Sequence, residues 1–287
     1  MSFHEAKAFE IQTPDGGVLR GLQYPSLDAP ETATTALCIH GFSSDADSMR
    51  WLARALNRTG LNAVVPDLRG HGLSDSARGR GLGTKRLSED TAEICQQLGL
   101  KKIIVVTQSY GGWIGLGLLE KNISGLEIEA LYAFAPNWFV ESRPWSEIKE
   151  WAPRSARILW RLGRLNGFLS PRKPARLDYD RYAGRPDFHI PRMQEEVRSM
   201  SWPRFAPRFI AMQRLRHRRC PDWASLGSLP VTLVVARQDR LVENAELEKV
   251  ADRTGWPLTW IECGHLGVAT EKKHADAMAD IIANDLS

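Results

Sequence analysis

Three residues far apart in the chain have the types and settings that nucleophilic catalysis needs: Ser109 in VVTQSYGGW, Asp239 in VVARQDRLV and His265 in ECGHLG. A serine hydroxyl is a weak nucleophile until a base takes its proton, and an imidazole acts as that base when a carboxylate orients it. Ser109 directly follows the strand-like KKIIVVTQ and directly precedes the helix-like YGGWIGLGLLE. A strand, a sharp turn and a helix in that order lift a hydroxyl clear of a sheet edge. Gly111 and Gly112 let the turn and the following helix approach closely. Asp239 closes the run VTLVVARQ and His265 follows LTWIEC, the acid before the histidine. Both lie just beyond the carboxyl end of a strand, where parallel sheets carry their sites. Each residue alone has a plain alternative as a turn residue, a cap or a surface histidine. The three in this order are hard to obtain by chance.

A fourth piece completes the set. ALCIHGFSSDADSM puts a His-Gly pair at a strand end with a loop after it. Gly41 lets the chain turn there, and the backbone N–H groups of Phe42 and Tyr110 are expected to face the oxyanion of an acyl-transfer reaction. Asp67, Arg69 and His71 in PDLRGHG are read as an internal hydrogen-bonded cluster rather than as catalysts.

These residues need a frame. After a hairpin (AFEIQ, the turn TPDGG, VLRGLQY), the apolar runs ALCIH, NAVVPD, KKIIVVTQ, EALYAFAP, VTLVVARQ and PLTWIEC read as strands. Helical periodicity covers Ser48–Arg58, Ser88–Gln97, Tyr110–Lys121, Ala245–Asp252 and Lys272–Asn284. Such alternation predicts right-handed crossovers and an α/β fold with one mostly parallel sheet covered on both faces. The stretch Ala77–Lys85, ARGRGLGTK, reads as a surface loop.

From Asn137 to about Ser228 no strand run occurs. A structureless loop of that length is improbable in a compact domain, so residues 137–228 are expected to form a helical cap between core segments 1–136 and 229–287. The net charge of +4 is concentrated here: Glu141–Ser225 carries about 19 Lys or Arg against about 9 Asp or Glu. Six of the ten tryptophans, Trp138, Trp145, Trp151, Trp160, Trp202 and Trp223, fall in the same region. Within it, EWAPRSARILWRLGRLNGFL sets Trp151, Ile158, Leu162, Leu165 and Leu169 beside a stripe of Arg154, Arg157, Arg161 and Arg164. One reading is an interfacial lid over an acyl pocket whose arginines meet anionic lipid or an anionic substrate. The other is a stripe that packs the cap onto the sheet.

Several classes are set aside on composition. No window approaches the ~18 to 20 apolar residues of a membrane span and the first residues do not resemble a signal, so a cytoplasmic protein is expected. Cys38, Cys95, Cys220 and Cys263 are scattered without metal or disulfide spacing, so neither a metal nor a cofactor is expected. RLRHRRC, ending at Cys220, has no recognisable nucleic-acid module around it. Asn57-Arg-Thr and Asn122-Ile-Ser match the glycosylation pattern only incidentally.

With HGF, DLRGHGLSD, QSYGG, ARQDRLV and the Gly264-His265 pair in place, the chain resembles the α/β-hydrolase superfamily along nearly its whole length. Within it, the chain looks most like the lysophospholipase, monoacylglycerol lipase and carboxylesterase group, which places a helical cap after the sixth strand. The resemblance implies Ser109 as nucleophile, His265 as general base and then acid, Asp239 as the orienter of the imidazole, and Phe42 as an oxyanion residue. This sequence departs at Thr107, where glycine is usual, at Gln108, where histidine is frequent, and at Ala236, where glycine usually precedes the acid. A β-branched residue at position 107 crowds a tight turn, so its neighbours are expected to be small or the turn more open. The expected activity is hydrolysis of a small-molecule acyl ester. Thioester, amide or peptide, lactone and carbon–carbon cleavage, or acyl transfer, remain open with the same residues. A non-enzymatic ligand receptor on this scaffold is the alternative of another class.

Overall fold

In a computed structural model of the chain, the described residues are 6–26, 34–42, 44–75, 82–121, 123–140 and 221–287. Most of the expected cap, its arginine-striped stretch, RLRHRRC and Asn122 therefore lie outside the described residues.

All eight expected strands form: β1 (Lys7–Gln12), β2 (Val18–Tyr24), β3 (Thr35–Ile39), β4 (Asn62–Pro66), β5 (Lys102–Gln108), β6 (Glu127–Phe134), β7 (Val231–Ala236) and β8 (Leu258–Ile261). They join one sheet in the order β1-β2-β4-β3-β5-β6-β7-β8. β2 runs antiparallel to both neighbours and every other pairing is parallel. β5 shows why its apolar run is continuous: Ile103 and Val105 enter the core on one face, Ile104 and Val106 on the other. A strand covered on both faces has no solvent side to leave polar.

The α-helices among the described residues are α1 (Arg50–Arg58), α2 (Thr84–Gln97), α3 (Gly111–Leu119), α4 (Asn244–Thr254), the short α5 (Gly267–Thr270) and α6 (Lys272–Leu286). α1 and α6 cover one face through Leu52, Leu56, Met278 and Ile282. α2, α3 and α4 cover the other through Leu87, Ile94, Ile114, Leu118, Leu247 and Val250. α2 starts at Thr84, ahead of the expected Ser88. Ser88 lies inside the helix, where its hydroxyl stands 3.0 Å from both the Thr84 carbonyl and the Ile114 carbonyl of α3 and shares its one proton between them, a role of serine within a helix. The helix therefore takes the last two residues of the expected Ala77–Lys85 loop.

The strand order carries the functional consequence. From β3 the chain steps to β4 on one side, while β5 and the later strands build outward on the other. The carboxyl ends of β3 and β5 thus flank the point where the winding reverses, the place where open α/β sheets form a crevice for ligands. The HGF loop leaves β3 here and Ser109 leaves β5 beside it.

Candidate active site

Ser109 has a backbone φ of 51°, in the left-handed region that non-glycine residues rarely adopt. Its N–H donates to the Phe134 carbonyl of β6 at 2.9 Å, and its carbonyl accepts from Gly112 at 3.0 Å. The turn is held from both sides, so the strained conformation persists. α3 starts close against β3: a Cβ at Gly111 would stand 2.6 Å from the Ile39 carbonyl oxygen, and one at Gly41 would stand 3.3 Å from Ser109 Cβ. The glycines are what bring the HGF loop beside the serine.

Thr107 is accommodated by small neighbours. It is fully buried in β5 between Ile39 of β3 and Ala133 of β6. Its methyl group occupies the space over α3 that Gly115 leaves empty, since a Cβ there would lie 2.8 Å from Thr107 Cγ2. The turn does not have to open; the helix supplies the room. The cost falls on the hydroxyl, because Thr107 Oγ1 is buried without a hydrogen-bond partner among the described residues.

Asp239 and His265 meet although 26 residues separate them in the chain. His265 Nδ1 is 2.7 Å from Asp239 Oδ2, with the two side chains 6% and 1% exposed. The other carboxylate oxygen, Oδ1, accepts from the N–H groups of Leu241 at 2.7 Å and Val242 at 3.0 Å. With one oxygen held by backbone and the other facing Nδ1, the imidazole carries its proton on Nδ1 and presents the Nε2 lone pair. The His265 loop is tied to the end of β7 by Gln238 N–H donating to the Cys263 carbonyl at 2.9 Å. It is tied to β5 by Gln108 Nε2 donating to the His265 carbonyl at 3.1 Å. Among the described residues, neither Ser109 Oγ nor His265 Nε2 makes a hydrogen bond, an arrangement common before substrate binds.

The backbone N–H groups of Phe42 and Tyr110 likewise make no hydrogen bond among the described residues. Tyr110 precedes the first turn of α3, where helical donors have no intrahelical acceptor. The Phe42 and Tyr110 rings pack edge to face, centroids 5.9 Å apart, so the two segments share one wall. His40, before Gly41, is structural: its Nε2 accepts from the Leu68 N–H at 3.1 Å, which leaves Nδ1–H to donate to the Gly41 carbonyl at 2.8 Å.

The PDLRGHG residues Asp67, Arg69 and His71 are buried, and Asp67 and Arg69 are hydrogen-bonded to separate partners. Asp67 is fully buried and accepts from the N–H groups of Ala46 at 2.7 Å and Leu73 at 3.0 Å. Arg69 makes a bidentate pair with Asp90 at 2.7 and 2.8 Å. Burial pushes the Asp90 carboxyl upward more than the arginines pull it down, while the same pair raises Arg69 further. The cysteines offer no rival nucleophile among the described residues: burial pushes the Cys38, Cys95 and Cys263 thiols up to about 12. No group of three or more His, Cys, Asp or Glu among the described residues could hold a metal ion. No described helix is long and apolar enough to cross a membrane.

Two features had no sequence signal. Ala135, directly after β6, adopts φ 44°, and alanine carries no signature of that conformation. Trp138 and Trp223, which the sequence reading assigns to the cap, are buried against Trp113 and Trp256 of the sheet body. The Trp138–Trp223 centroids are 5.7 Å apart and Trp138–Trp256 5.9 Å. Trp223 Nε1 also donates to the Phe139 carbonyl at 3.3 Å. The segments on either side of residues 141–220 are thereby joined on the body. Tryptophan composition cannot distinguish such a joint from a ligand wall.

Comparison with known proteins agrees with the fold. A curated relative, the magnesium-chelatase 30 kDa subunit of Rhodobacter capsulatus, is 34% identical over 89 residues, 31% of this chain and 31% of that protein. The match thus spans about a third of that relative's length. A thermophilic esterase from Thermogutta terrifontis superposes with a TM-score of 0.69 at 22% identity, covering 98% of each chain. A bacterial membrane phospholipase A superposes with a TM-score of 0.70 at 18% identity, covering 97% of this chain and 87% of its own. At such identities the structures share the fold, which hosts many chemistries. The sequence model of the Alpha/beta hydrolase family matches residues 36–281, from the start of β3 into α6, and the chain belongs to that family.

Proposed function

We propose that this protein is a serine hydrolase that cleaves a carboxylic ester with a medium-sized or long hydrophobic acyl chain. The observations that support the proposal are a serine held at φ 51° at the end of β5, a buried Asp239–His265 pair at 2.7 Å, and the hydrogen bond from Gln108, the residue before Ser109, to the His265 carbonyl at 3.1 Å. A binding protein has no physical need for a strained serine beside an oriented imidazole.

The reaction follows from these groups. Ser109 Oγ attacks the ester carbonyl while its proton passes to His265 Nε2, and the carbonyl π pair moves onto oxygen. The Phe42 and Tyr110 N–H groups donate to that oxyanion. Asp239 stays ionised beside the imidazolium and holds the ring. Collapse of the intermediate expels the alkoxide, which takes the proton from Nε2 and leaves as the alcohol. Water then attacks the acyl-serine, giving a proton to Nε2; the acid departs and the proton returns to Ser109 Oγ. The apolar character of the acyl group rests on the half-buried Phe42 ring packed on Tyr110 beside the elbow and on the apolar positions Trp151, Ile158, Leu162, Leu165 and Leu169 of the segment proposed as a cap. The esterase and phospholipase A structures that share the fold suit the same reading.

A fluorophosphonate probe tests it. Wild-type protein is labelled at Ser109 and Ser109→Ala is not; equal labelling of the two would remove Ser109 from the chemistry.

A further inference from the structure

Gln108 stands where this family often has histidine, and its side chain is 1% exposed. Its Nε2 donates to the His265 carbonyl at 3.1 Å, while its Oε1 is buried with no hydrogen-bond partner among the described residues. The carbonyl acceptor decides which end of the amide is nitrogen. Methionine would span the same distance without leaving a buried oxygen unsatisfied, so glutamine is the less stable choice here. Its use is visible in the sheet order.

β8, which launches the His265 loop, is separated from β5 by β6 and β7, three strand spacings or about 14 Å. The imidazole must reach back across that distance to stand over Ser109. Asp239 fixes the orientation of the ring from the β7 side. Gln108, adjoining Ser109 in the chain, holds the backbone of the histidine from the nucleophile's own strand.

Resting on the serine-hydrolase reading, we propose that Gln108 is a positioning residue. Its amide N–H sets the separation of His265 from Ser109 by tying the histidine loop to β5. Histidine at this position reaches its Nε2–H through the same number of bonds as glutamine and can serve the same carbonyl, whereas methionine fills the space and donates nothing.

The test uses full-length wild type, Gln108→Met and Gln108→His. Four quantities are read: the rate and end point of fluorophosphonate labelling, kcat and KM on p-nitrophenyl butyrate, and Tm. Gln108→Met is expected to reach the wild-type labelling end point at least about tenfold more slowly. Its kcat falls about 10- to 100-fold, the scale of a misplacement near 1 Å, with KM within about twofold and Tm unchanged or raised. Gln108→His recovers most of the loss. Labelling and kcat of Gln108→Met within about twofold of wild type would overturn the inference, as would a loss that tracks a fall in Tm or that Gln108→His fails to reverse. Absence of labelling in wild type would instead overturn the hydrolase reading on which it rests.

Discussion

Asp239→Asn gives a sharp test because the structure dictates which way the new amide must turn. At Oδ1 the carboxylate meets two backbone donors, Leu241 and Val242 at 2.7 and 3.0 Å, and at Oδ2 it meets His265 Nδ1 at 2.7 Å. An asparagine has one acceptor oxygen and one NH2 group. Directing the NH2 at the two N–H groups would orphan two buried backbone donors, so the oxygen takes the Oδ1 place and the NH2 faces Nδ1. Nδ1 must then accept, the imidazole proton moves to Nε2, and the nitrogen that should receive the serine proton is already occupied. Loss of the base through the wrong tautomer lowers kcat by about 10³- to 10⁴-fold in a Ser-His-Asp site, or about 4 to 5.5 kcal/mol of transition-state stabilisation. The shape and backbone bonds of residue 239 survive, so folding and KM change little. Hydrolysis of p-nitrophenyl esters measures the fall in kcat, and nitrogen NMR of the His265 ring reports the tautomer. A kcat within tenfold of wild type, or an imidazole still protonated on Nδ1, would refute the reasoning.

Two further outcomes follow from the same geometry. Thr107→Val keeps the methyl packing over Gly115 and removes a buried hydroxyl that has no partner, so it should stabilise the fold by about 1 kcal/mol in denaturant titration; a lower midpoint would mean that the hydroxyl serves a bond after all. Across about pH 5 to 8, kcat/KM should fall toward the acid side, since an imidazolium cannot accept the Ser109 proton; a flat profile with short esters would count against a histidine base.

The eight strands and most helix spans are legible in the chain because their signals are local. A strand buried on both faces shows a continuous apolar run, as Ile103–Val106 does in β5, and a helix must repeat its apolar positions every three or four residues. The order Ser109, Asp239, His265 at three strand ends is equally local. The separation between those ends is not: it depends on β3 and β5 becoming neighbours while β4 and β6 diverge, a pairing choice written in no single segment.

Tertiary packing also decided what the suspect residues do. Thr107 reads as an obstacle in sequence, and only the passage of Gly115 across it shows where its methyl goes. Trp138 and Trp223 read as cap residues, yet they are core, because burial is settled by what packs on the other side. Gln108 reads as a neutral departure from pattern and becomes a link between nucleophile and base once β8 returns its loop to β5. The sequence by itself determined which side chains could do chemistry and the elements that carry them, since those depend on residue type and short-range periodicity. The tertiary structure decided the distances and hydrogen-bond partners, since these arise between segments far apart in the chain, 157 residues in the case of Gln108 and His265.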